Sequence, residues 1–180
     1  MSRTLQLQAA PLSLEGLDRL DAGDLVLFVG EGDRPLRGLA GFVDWRMCGE
    51  LTRRVKEGFF AGAAGEALLT VPAGRLPVSR IFVFGAGGGH APLAVSLRAV
   101  VRAGGSDVAL CPVGWEVDGA HLSAREAVSA AHEAGIDRLT LLAPDLRAAD
   151  RALAVAADSF VYARLVEPAA AKAVEPKLAK

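Results

Sequence analysis

Gly85-Ala86-Gly87-Gly88-Gly89-His90 is the stretch of this chain best suited to chemistry. It follows the apolar run Arg80-Ile81-Phe82-Val83-Phe84 and leads to Pro92 and a helical pattern. At such a strand-to-helix junction, backbone amides and the start of a helix can hold a phosphate. The spacing departs from the dinucleotide fingerprint, because His90 stands where the third glycine belongs and no acidic residue closes a second strand about twenty residues on. The lysine and hydroxyl pair of a phosphate loop is missing too. Gly85, Gly87, Gly88, Gly89 and His90 are therefore candidates to bind a small phosphate ligand. The plainer reading is a tight connection.

The other reactive side chains are scattered. His121 and His132 on one helix would stand about 16 Å apart by the helical rise, too far for one ion. His90 belongs to a different loop, and no Cys-x-x-Cys or His-x-x-x-His occurs. No metal site and no cofactor are expected. Cys48 falls on the inward side of a helical pattern, which favours an inert thiol, and Cys111 closes an apolar run. Two cysteines fit a reducing compartment, and a disulfide between them has little support. Ser96 and Ser106 lack a Gly-x-Ser-x-Gly elbow. Asp24, Asp44, Asp107 and Asp145 stand at element starts, where capping is the ordinary role. No catalytic residue is assigned, and the chain is not expected to be an enzyme. Arg46, Arg53, Arg54 and Lys56 form a locally basic helix face interleaved with Glu50 and Glu57. Pairs such as Glu50–Arg54 make a solvated face the plain reading, and an anionic partner the sharper one.

The elements that must position these residues alternate. Six strands are expected, at about 3–9, 24–30, 66–71, 80–84, 107–112 and 138–143. The first alternates polar and apolar and reads as an edge strand. The run that follows Asp24 is apolar, as in a strand covered on both faces, and 66–71 and 80–84 read as buried strands too. Between them fall a short helix at 13–20, a helix from Asp44 to Glu57 with Trp45, Cys48 and Val55 inward, and a helix after Pro92. A further helix starts at the capping box Ser123-Ala124-Arg125-Glu126 and stops at Gly135. A last one runs from Asp145 to Leu165 with Phe160, Val161 and Leu165 inward. Phe59 and Phe60 are expected to pin the loop after Gly58. The pattern predicts an α/β fold of three layers, with a mixed, mostly parallel sheet of about six strands and helices on both faces.

The 180 residues are 52% hydrophobic and 23% charged, ample for a buried core in one domain. Mean hydropathy is +0.32, yet no apolar run reaches the roughly 20 residues of a membrane span. The N-terminus shows no secretory pattern, so a cytoplasmic location is expected. A net charge of −1 argues against nucleic acid and membrane surfaces as partners. Residues 1–166 form the expected domain. Residues 167–180, rich in Ala, Pro, Lys and Glu, read as a disordered tail.

Gly38-x-x-Gly41-x-x-Asp44-Trp45-Arg46-x-x-Gly49-x-Leu51 resembles the lead-in of the amino-terminal domain of M17 leucyl aminopeptidases. Phe59, Gly65-Glu66-Ala67-Leu68-Leu69, the Arg80–Gly85 run, and Phe160 and Tyr162 near the end fit the same pattern, over nearly all of residues 3–166. The resemblance implies a macro-domain-like fold. In that family the two metal ions, the catalytic lysine and the substrate pocket belong to the carboxy-terminal domain, to which no residue here can be matched. It therefore implies a stand-alone, non-catalytic module, of bacterial type by its composition, that binds a protein partner or itself. Arg46, Arg53, Arg54 and Lys56, with Lys172 and Lys177 of the tail, are the candidate contacts. The fold implied also raises ADP-ribose or another nucleotide-type ligand at Gly85–His90, although a chain without asparagine departs from the sites of true macro domains. DNA binding through the basic helix face is a weaker alternative.

Overall fold

The computed structural model describes residues 4–88, 93–112 and 120–166, with side chains except at 120–122. They form β1 (Leu5–Pro11), α1 (Leu14–Asp18), β2 (Asp24–Gly30), α2 (Gly38–Arg46), α3 (Glu50–Lys56), β3 (Ala67–Thr70) and β4 (Arg80–Gly87). After these come α4 (Leu93–Arg102), β5 (Asp107–Leu110), α5 (Ala120–Ala134), β6 (Arg138–Ala143), α6 (Leu146–Ser159) and β7 (Ala163–Leu165). One seven-stranded sheet has the order β3-β4-β2-β5-β6-β1-β7. Only β3 runs antiparallel to its neighbour, so the carboxyl ends of the other six strands share one edge.

The period of two explains the layers. Val26, Phe82, Phe84, Val108, Leu110, Leu139 and Leu141 point to one face, under α4, α5 and α6. Leu25, Leu27, Val29, Ile81, Val83, Ala109 and Leu142 point to the other, under α1, α2 and α3. Both faces are buried, which is why β2 is apolar at every position from Leu25 to Val29. The three-layer α/β reading holds, with one strand more than the six expected.

Several elements depart from expectation, each for a local reason. β1 is not an edge strand, because β7 lies outside it and Leu5 N–H donates to the Tyr162 carbonyl at 2.8 Å. Gln8, expected on a wet face, is buried and donates through Nε2 to Thr140 Oγ1 at 2.6 Å. The edges are β3, with Leu69 exposed, and β7, with Leu165 exposed. The last helix stops at Ser159, where Phe160 turns extended, and Ala163–Leu165 joins the sheet. Val161 and Leu165, expected inward, are exposed. Ser123 is inside α5 rather than at its start. Phe60 is buried as expected, whereas Phe59 is exposed.

The Asp44–Glu57 helix is two helices. Cys48 and Gly49 adopt φ values of +56° and +79°, which break the chain between α2 and α3. Asp44 lies inside α2, yet it still caps a helix. Its Oδ1 accepts the Thr52 amide at 3.0 Å and its Oδ2 accepts the Thr52 hydroxyl at 2.6 Å, in the first turn of α3. Trp45 and Cys48 are exposed rather than inward. No helix among the described residues is long and apolar enough to cross a membrane.

Candidate functional site

The glycine run after β4 divides by its surroundings. A Cβ on Gly85 would stand 1.9 Å from the Ala63 carbonyl oxygen, so this glycine is required by close packing of the 60–66 loop. Gly87 has φ +59°, and its amide donates to the Gly62 carbonyl at 2.9 Å. Glu66 holds that loop in place, its Oε2 accepting the amides of Ala61 at 2.8 Å and Ala63 at 3.1 Å. A Cβ added to Gly88 would meet nothing within 4 Å among the described residues. Gly89 and His90 lie outside the described residues.

The basic face is paired internally. Glu50 binds both Arg53 and Arg54, the latter at 2.9 Å, and Arg46 reaches Asp18 at 2.6 Å. Hydrogen bonds from Arg53 and then Arg54 lower the Glu50 pKa below its ordinary value. Arg46 sits on α2 and the other three on α3, so the four do not share one helix. Lys172 and Lys177 lie outside the described residues. Cys48 is exposed and its Sγ accepts a hydrogen bond from Arg75, while Cys111 is half-buried and its thiol donates to the Pro112 carbonyl at 3.7 Å. The His132 ring stacks on Tyr162, with centroids 3.5 Å apart. Among the described residues no three His, Cys, Asp or Glu side chains are grouped for a metal.

The aspartates at strand starts do more than cap. Asp24 on β2 takes a two-pronged hydrogen bond from Arg80 on β4, at 2.7 and 2.6 Å. Arg138 on β6 grips Asp107 on β5 at 2.9 and 2.5 Å and Asp21 at 2.9 Å. These hydrogen bonds raise the pKa of both arginines, Asp24 acting on Arg80 and chiefly Asp107 on Arg138. At this edge of the sheet the strand-start carboxylates are answered by arginines of the same fold.

The opposite edge is open. There a cleft of about 840 Å³ is lined by Leu12 and Leu14 after β1, by Pro144, Asp145 and Ala148 after β6, and by Leu36, Arg37, Gly38, Gly41, Phe42 and Trp45 at α2. In parallel α/β sheets ligands bind outside the carboxyl ends of the strands. Arg37 is the N-cap of α2 but supplies no side-chain cap, so the first-turn amides of α2 keep no side-chain acceptor. Its exposed guanidinium has no ion-pair or hydrogen-bond partner among the described residues. Asp145 caps α6, Oδ1 accepting the Ala148 amide at 3.1 Å. Trp45, 72% exposed, stands at the rim. The cleft residues were not among the sequence candidates. The signal that could have found them is the end of each parallel strand, together with the spacing of Gly38, Gly41, Phe42 and Trp45.

Solved structures with the same architecture fix what this fold is. The macrodomain of Mycobacterium tuberculosis DarG superposes with a TM-score of 0.57 at 18% identity, over 76% of this chain and 97% of that one. The fold is macro-domain-like. A tomato leucine aminopeptidase mutant superposes with a TM-score of 0.54 at 17% identity, over 87% of this chain and 37% of that one. An alphavirus protein, P23pro-zbd, gives 0.59 at 14% identity, over 94% of this chain and 26% of that one. The chain thus spans little more than a third of the aminopeptidase and nearly the whole DarG macrodomain. No family model and no curated protein matches the sequence. The macro-domain-like part agrees with the resemblance drawn from the Gly38–Leu51 spacing.

Proposed function

We propose that this chain is a non-catalytic binding module whose working site is the cleft at the carboxyl ends of β1 and β6, with a nucleotide-type phosphate ligand as its occupant. The cleft itself carries the reading. Its volume, about 840 Å³, falls within the range of about 300–1,000 Å³ usual for small-molecule sites. Its lining is mostly apolar and aromatic, with an arginine that has no partner among the described residues and a helix start without a side-chain cap at one side, which suits a flat apolar group joined to an anion. Among the lining residues Asp145 is the one carboxylate, and there is no histidine, cysteine or lysine, so no nucleophile meets a base. This lining supports binding without turnover.

This moves the ligand away from Gly85–His90, where Gly85 and Gly87 serve the packing of the 60–66 loop. The test is a thermal-shift titration of the purified chain with ADP-ribose and AMP. Binding to the native state stabilises by RT ln(1 + [L]/Kd), about 2.7 kcal/mol at a hundredfold excess over Kd. A dose-dependent rise in Tm is expected, with no hydrolysis of leucine amides at any metal concentration. No rise at millimolar nucleotide would overturn the ligand reading.

A second reading, a protein-binding or self-associating module, draws on Trp45 and Phe59, both large aromatics at 72% and 69% exposure. Its test is analytical ultracentrifugation of the purified chain over a wide concentration range. A mass that rises with concentration supports self-association, and a constant monomer mass removes it.

A further inference from the structure

α2 carries two apolar stripes where a surface helix needs one. Leu39, Ala40 and Val43 are buried against the sheet. Gly38, Gly41, Phe42 and Trp45, at positions 0, 3, 4 and 7 of the same helix, form an adjoining flank that lines the cleft. No element of the described chain covers the end of that flank, since Trp45 is 72% exposed. Gly41 is bare for a packing reason, because a Cβ there would come within 2.8 Å of the Leu36 carbonyl oxygen. The flank therefore presents, in order, a positive end at Arg37 and the first-turn amides, a strip without side chains, and an aromatic shelf. Gly38 to Trp45 spans about 10 Å by the helical rise, a length that a phosphate, a ribose and a base can bridge.

From this order the geometry points to Trp45, with Phe42 behind it, as the surface on which the planar ring of the bound ligand stacks, its anion lying toward Arg37. The inference rests on the nucleotide reading of the cleft and adds the ligand's orientation and the residue that selects a base over a bare sugar phosphate. Charge complementarity fixes the direction. The positive helix end and Arg37 attract the anion, and Asp145 across the cleft repels it. An indole face accepts any base and needs no hydrogen-bond pattern, so the selection is for a flat ring rather than for one particular base.

The experiment uses the full chain carrying Trp115→Phe, which leaves Trp45 as its one tryptophan. AMP, adenosine and ribose 5-phosphate are titrated, reading tryptophan fluorescence and Tm together. AMP is expected to quench Trp45. Trp45→Ala is expected to weaken AMP about tenfold, in line with the usual loss when a base loses its aromatic platform, while Trp45→Phe restores most of the affinity. Arg37→Gln is expected to weaken AMP and ribose 5-phosphate and to leave adenosine unchanged. If Trp45→Ala binds AMP as the parent does, the shelf is wrong and the nucleotide reading survives. If the parent binds no AMP, both fail. If Trp45 emission follows protein concentration and not AMP, the flank is a contact between two copies of the chain, and the stacking assignment is overturned.

Discussion

The two edges of one sheet are built on opposite rules. At the amino ends of the strands, Asp24 meets Arg80, and Asp107 and Asp21 meet Arg138, so each of these carboxylates is answered within the fold. At the carboxyl ends the chain keeps glycines and aromatics, with an arginine that has no partner among the described residues and a helix without a side-chain cap from its N-cap residue. The first edge ties neighbouring strands together, β2 to β4 and β5 to β6. The second leaves polar groups and aromatic area unused by the described residues. Parallel sheets with connecting helices make this division natural, because helix N-termini gather at the carboxyl edge and favour anions there.

The strongest test of the closed edge is Arg80→Ala. It leaves the Asp24 carboxylate, 4% exposed, without its partner, and breaking a buried pair this way costs about 3–5 kcal/mol. Denaturant unfolding should show that loss; a cost below about 1 kcal/mol would mean the edge is not held by charge. The pH dependence has a definite sign. The folded-state pKa of Arg80 is raised, so its contribution is complete below its ordinary value and is lost only as pH rises through the folded value. Alkaline conditions short of that range should leave the Arg80 contribution intact.

Gly85→Ala probes the other edge with the next largest effect. The added Cβ would meet backbone 1.9 Å away, so the 60–66 loop must shift, for about 2–3 kcal/mol. A neutral outcome would make this glycine a ligand candidate again. Arg138→Met ranks third. Its partner Asp107 is 28% exposed and water replaces part of what is lost, which brings the cost to about 2 kcal/mol.

These contrasts also show what could be read from the residues alone. Asp24–Gly30 is legible because both faces of β2 are covered and every position from Leu25 to Val29 is apolar. β7 is not, since three residues carry no period and the apolar spacing of Phe160, Val161 and Leu165 imitates one more helical turn. The break between α2 and α3 depends on a left-handed Cys48, a conformation that residue type does not announce. The glycine run drew attention because a glycine needed for packing and a glycine needed by a ligand look the same in sequence. The cleft escaped because segments near 12, 37 and 144 converge only through the strand order.

The smallest expected effects sharpen the division most. Gly88 stands three residues beyond Gly85, with no atom of the described residues within 4 Å of an added Cβ, and Trp45 is mostly exposed. Gly88→Ala and Trp45→Ala should each change unfolding free energy by less than about 0.5 kcal/mol, as for other surface sites. Trp45→Ala should nevertheless weaken nucleotide binding, which separates a residue kept for a ligand from one kept for the fold. A stability loss above about 1 kcal/mol in Trp45→Ala would place the indole in the packing of α2, and the carboxyl edge would then be closed by its own side chains just as the amino edge is.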